Sequence, residues 1–321
     1  MTADAPRRLA QAARRIAVGA LPVAAVAALG LAAAPAFAAT GPVLNVDGNN
    51  VNIAVQGSHN SLKFYWVTNG SATWHPETIA KAGTTFSAPA MDVDGNDVNI
   101  AVMGPHHSLK FYWAVNGSAT WHALTIAHAG TTYSAPAIDV NGTDVNITAM
   151  GPNHSLKFYW AVNGTAGWHA ETVAKKNTTY SAPAMDVNGN SVNIAAQGHG
   201  NSLTFYWATN GTATWHPETV ASANTAYSAP AMNVDGNAVN ITAEGHGNSL
   251  KLYWAVSGTP TWHPETVSHG GTSFSAPSMV VNGNAVNIAA VGPGSSLKFY
   301  WATNGTTTWH IEQVAGAGSV S

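Results

Sequence analysis

One spacing constrains this chain more than any other feature: tryptophan recurs every 47 residues in two interleaved series. Trp66, Trp113, Trp160, Trp207, Trp254 and Trp301 form the first, and Trp74, Trp121, Trp168, Trp215, Trp262 and Trp309 the second. A Val-Asn-Ile triplet keeps the same step, starting at Val51, Val98, Val145, Val192, Val239 and Val286. From Thr40 to Ser321 the chain divides into six units of 47 without an insertion: 40–86, 87–133, 134–180, 181–227, 228–274 and 275–321. A repeat of this length is one supersecondary unit that buries its core against its neighbours.

The second unit shows what each copy encodes. Ala88–Val93 reads as a first strand, with Pro89 at its start, where a missing N–H is tolerated. Asp94-Gly95-Asn96 is turn chemistry, and Val98–Val102 alternates as a second strand. Gly104–His107 is a loop, and Leu109–Trp113 is a third strand with aromatic residues on both faces. Asn116-Gly117 signals a hairpin into a fourth strand, Trp121–Ala127. Six such units predict an all-β, six-bladed β-propeller of four-stranded repeats. Two β-trefoils, each of three units, are the alternative.

Residues 1–38 read as a signal peptide, which leaves a propeller domain at 39–321 and places the mature protein outside the cell. Arg7, Arg8, Arg14 and Arg15 precede an apolar stretch, and Pro35-Ala36-Phe37-Ala38 supplies the small residues of a cleavage site. Without this segment no Arg is left, and eight Lys stand against fourteen acidic residues, a net charge of −6 with His neutral. Such a surface argues against nucleic acid and against anionic lipid, so no membrane contact is expected after cleavage. With no Cys, disulfides are excluded. The number of assembled chains is not set by the sequence.

The order Ser87-Ala88-Pro89-Ala90-Met91, Asp94-Gly95, Gly104, Ser108-Leu109, Trp113 and Trp121-His122 resembles the repeat of the PLL-like and tectonin-like β-propeller lectins. The likeness covers the whole mature chain. It implies a propeller that binds glycans in repeated shallow pockets between or on the blades. The fungal fucose-binding lectins close six blades but use an Arg in each pocket, and here none remains.

A Trp face stacks on the C–H face of a sugar, and a neighbouring imidazole can bond a hydroxyl. The ligand-binding candidates are therefore Trp74 and His75, Trp121 and His122, Trp168 and His169, Trp215 and His216, and Trp262 and His263. The strand-three tyrosines Tyr65, Tyr112, Tyr159, Tyr206 and Tyr253 join them. These Trp are equally fitted to plug a core and these His to bond a backbone carbonyl, so exposure of His75 and its equivalents decides between binding and pure scaffolding. Glu77, Glu171, Glu218, Glu265 and Glu312 follow the Trp-His pair, but unit two has Leu124 there.

The run Asp92–Asp97 hints at a calcium loop, yet only the Asp-Gly or Asn-Gly turn is constant, so no metal and no cofactor is expected. Catalysis needs a unique constellation, and nearly everything here occurs six times; the expectation is a multivalent binder and not an enzyme. A non-catalytic scaffold or protein-interaction propeller is the second reading. Units one to five end in Phe86, Tyr133, Tyr180, Tyr227 and Phe274, whereas unit six ends in Ser321. The junction between the last and first units is thus expected to be the weakest.

Overall fold

The alternation in each unit becomes one antiparallel sheet of four strands in sequence order, six times over. The computed structural model describes residues 41–68, 71–115, 117–162, 167–209, 212–303 and 306–320. The expected signal peptide, Asn116 of the predicted hairpin and Ser321 lie outside the described residues. In blade two the strands are Ala90–Asp94, Asp97–Met103, Leu109–Val115 and His122–Ala127. Pro89 stands just before the first, and Trp121 falls just outside the fourth.

The first strands lie side by side in blade order, nearest the axis, so the architecture is a six-bladed β-propeller. A polar ladder runs along them. Asn45 Nδ2 donates to Asp92 Oδ1 at 3.2 Å, and Asp92 Oδ2 accepts from Val140 N–H at 2.8 Å. Asp186 Oδ2 accepts from Val234 N–H at 2.9 Å and from Asn233 Nδ2 at 3.3 Å, and Asn233 Oδ1 accepts from Val281 N–H at 3.3 Å. Blades two to five thus bond the backbone of the next through the third residue of the first strand, Asp92, Asp139, Asp186 and Asn233.

The Gly-x-x-x-Ser-Leu step also has a physical cause. Pro105–His107 forms a tight turn in which His106 and His107 are left-handed, at φ 56° and 61°. A Cβ on Gly104 would come within 2.6 Å of Ser108 Oγ and 2.7 Å of Lys110 Cγ, so only glycine fits where the strand folds back. Ser87 Oγ accepts from Met103 N–H at 3.0 Å, which fastens the start of the unit to the end of strand two.

Both faces of a blade are apolar because each packs on a neighbour. Successive pairs from blades one and two to blades five and six enclose apolar cores. Between blades six and one the described residues form no equivalent core. Leu44 and Val46 of blade one are 61% and 54% exposed, whereas their counterparts Met91 and Val93 are 6% and 2% exposed. On the far side of the seam Val314 and Val280 are exposed as well. Val280 replaces the Asp or Asn that elsewhere bonds the next blade, so the last unit lacks the side-chain acceptor of the axial ladder. The expected weakness at this junction thus has a structural counterpart.

Candidate ligand-binding site

In an extended chain, consecutive side chains point to opposite faces of the sheet. Trp121 and His122 therefore part company. Trp121 turns back into the interface with blade one, where its indole meets the edge of Phe64 at 5.1 Å and donates to Glu77 Oε2 at 2.6 Å. Trp215 does the same against Phe158 and Glu171, and Trp262 against Phe205 and Glu218. Trp168 meets the edge of Phe111. These residues plug the interfaces between blades. The strand-three tyrosines share that backward face: Tyr112, Tyr159, Tyr206 and Tyr253 are buried, and Tyr65 is half-buried at the seam. Burial pushes the Tyr112 phenol up, opposed by a hydrogen bond with Thr84. The Trp-Tyr-His pocket expected from adjacency is thus not assembled as a unit.

The histidines go the other way. His75, His122, His169, His216, His263 and His310 are all exposed. Each stacks on the strand-three Trp opposite it, as for Trp66–His75 at 4.1 Å, Trp160–His169 at 4.1 Å, Trp207–His216 at 4.2 Å and Trp301–His310 at 3.9 Å. Strand register extends the row inward, because Asn99 is opposite Trp113 and Trp113 is opposite His122. The same Asn-Trp-His row recurs in every blade, as with Asn146, Trp160 and His169. The Asn is the centre of Val-Asn-Ile, a polar residue in an apolar run. Its invariance across six units is the sequence signal of this row, although strand alternation alone accounts for a polar residue at that position.

The row opens into recesses between blades. One, of about 360 Å³, lies between blades two and three and is bounded by Asp94, Asp97, Asn99, Trp113, His122 and Thr143. Another, of about 410 Å³, lies at the equivalent place between blades four and five and includes Asn188, Ser191 and Asn193. Asn52 and Asn240 are buried with both amide atoms unpaired, so the floor of the row holds hydrogen-bonding capacity that the protein itself does not use.

A carboxylate braces most rows. Glu77 accepts from Trp66 Nε1 at 2.9 Å with one oxygen and from Trp121 Nε1 with the other, joining the Trp of its own blade to the Trp of the next. Glu171 and Glu218 repeat the clamp. Leu124 breaks it in blade two, and Trp168 Nε1 is buried without a partner. Trp113 then lies against Phe111, with ring centroids 5.3 Å apart, and its distance to His122 grows to 5.0 Å. Leu124→Glu is expected to restore both bonds and to stabilise the fold by about 1 kcal/mol. A urea titration checks this, and a lower midpoint would count against it. The lysines are not partners of this Glu: Lys63, Lys157 and Lys251 each donate to a strand-four Thr hydroxyl.

Among the described residues no group of His, Asp and Glu is arranged to hold a metal ion. No family profile and no curated protein matches the sequence. Similarity to solved structures is extensive. The chain resembles the BP39L lectin from Burkholderia pseudomallei at 18% identity and a TM-score of 0.75, over 84% of this chain and 82% of that one. It resembles Aleuria aurantia lectin, a six-bladed β-propeller with a fucose recognition mode, at 12% identity and a TM-score of 0.59, over 84% and 92%. AofleA from Arthrobotrys oligospora matches at 13% identity and 0.59, over 84% of each chain. At these identities the likeness establishes a shared β-propeller fold.

Proposed function

We propose that this is a secreted, multivalent carbohydrate-binding protein whose sites are the Asn-Trp-His rows between blades. One observation carries the reading: an exposed imidazole stacked on an indole, in register with an inner-strand Asn, is repeated in all six blades, and the Asn is buried in blades one to five. An apolar ring with a few placed polar groups suits a neutral sugar. A scaffold propeller would have no reason to keep six exposed histidines in this one position. Six weak sites on a rigid ring would gain strength through avidity on a polyvalent surface. The lectins that share the fold support the reading, and one of them is known in complex with a methyl fucoside. A binder built from repeated sites needs no catalytic centre, and we read the protein as non-enzymatic.

The test is a glycan array, fucosides included, probed with residues 39–321 and with a variant carrying Ala at His75, His122, His169, His216, His263 and His310. These side chains lie on the surface, so the variant is expected to keep its fold, checked by circular dichroism. Binding to one glycan class should fall at least about 100-fold on the array, because avidity multiplies the loss at each site. Unchanged binding would move the sites elsewhere. Silence of the native protein across the array would favour the scaffold reading. The leader is tested separately, by N-terminal sequencing of protein from the culture medium; a start at Ala39 is expected.

A further inference from the structure

The six Asn-Trp-His rows are alike, but the turns beside them are not. The turn between strands one and two carries Asp94 and Asp97 in blade two. The corresponding pairs are Asp47 and Asn50, Asn141 and Asp144, Asn188 and Ser191, Asp235 and Ala238, and Asn282 and Ala285. Only blade two places two carboxylates there, and both border the recess that holds Trp113 and His122. It is also the blade in which Leu124 removes the clamp, so the Trp113 indole N–H has no acceptor among the described residues. Blade two thus combines an unbraced aromatic platform with a doubly negative rim.

We propose that the recess between blades two and three is specialised for a cationic amino sugar, unlike the other five rows, whose turn pairs are neutral or singly charged. This rests on the carbohydrate-binding reading above. The sugar ring would lie on the Trp113–His122 wall. Its ammonium group would sit between Asp94 and Asp97, and its hydroxyls would meet Thr143 and the free indole N–H. An N-acetylated sugar has the same ring but no charge, so discrimination between the two isolates the contribution of the rim. Both carboxylates are exposed. The attraction is therefore screened by salt, and the preference is a matter of several-fold and not of orders of magnitude.

The experiment is calorimetry of the mature protein with a β-1,4-linked glucosamine tetramer and with its fully N-acetylated counterpart, at a pH that keeps the amine protonated. The native protein is expected to bind the amino form about fivefold more tightly at low salt, with the gap narrowing at high salt. Asp94→Asn/Asp97→Asn should bring the two ligands within about twofold of each other, while Asp235→Asn should leave the preference intact. A preference that survives the double substitution overturns the assignment to this recess. Equal affinity in the native protein overturns the proposal while leaving the lectin reading in place. Failure to bind these tetramers and every glycan on the array removes both.

Discussion

Replacing Trp215 by Ala is expected to lower the stability of the fold by about 3–4 kcal/mol, whereas replacing Trp74, its repeat equivalent, should cost less than about 1 kcal/mol. Trp215 fills the space between blades three and four, with the edge of Phe158 at 5.2 Å and Glu171 Oε2 accepting from its indole at 2.9 Å. Removing it creates a cavity and strips a half-buried carboxylate oxygen of its donor, and the two costs act in the same direction. Trp74 stands at the seam, 44% exposed, with no blade packed against it in the way blade three packs on Trp215. Urea unfolding of the two variants reads the difference directly. Equal losses would mean that Trp74 is packed against Phe299 and Glu312 of blade six, and that the ring is sealed like its other interfaces.

The same contrast explains which parts of the molecule were legible in the sequence. The period of 47 gave the number of blades, because two Trp series and one triplet keep step over the whole domain. Strand order followed from turn chemistry such as Asp94-Gly95. The faces did not follow. Strand alternation separates two sides but does not say which side is which, and in a propeller both are buried. Phe111 and Trp113 point to blade three while Tyr112 points to blade one, with nothing in the residue types to distinguish them. The pairing of Trp121 with His122 failed for a related reason: neighbours in the chain occupy opposite faces, and the partner of His122 is Trp113, nine residues earlier and fixed by register. That register includes a bulge between Leu109 and Lys110, a shift that no periodicity announces.

The Glu series illustrates how an irregular copy becomes informative once the geometry is known. Leu124 takes the place of the Glu in blade two, and a blade forms without the carboxylate. The carboxylate is nonetheless a shared brace, because its two oxygens join indoles from two blades. Blade five shows what happens when the apolar support changes instead. Leu252 stands where the other blades have Phe, and both Glu265 Oε2 and Trp309 Nε1 are left buried without partners. Edge contact with the ring and the indole–carboxylate bond thus fail together, as expected if the ring sets the angle at which the indole reaches the carboxylate.

Above pH 7, Asp186→Asn is expected to stabilise the protein by about 2–3 kcal/mol, an unusual sign for a polar residue that bonds a backbone amide. Burial at the axis, with help from the Asp92 and Asp235 charges, raises the Asp186 carboxyl to about 6, against the pull of the Val234 N–H. Asp139 is pushed well above the usual carboxylate range by burial and by Asp92 and Asp186. A carboxyl with a raised folded-state pKa holds its proton longer in the native protein than in the unfolded chain. Stability from this group is therefore full below about pH 4 and is lost as the pH rises through about 6. Asn cannot ionise, and its Oδ1 can still accept from the next blade, as Asn233 does from Val281 N–H at 3.3 Å. Thermal midpoints of the native protein and the variant, measured from pH 3.5 to 8, should diverge through that window, with the variant the more stable at the upper end. Parallel curves, or a variant weaker at pH 8, would show that hydrogen bonding to the ionised carboxylate outweighs the cost of burying it. The axial ladder would then stabilise the ring through its charge and not in spite of it.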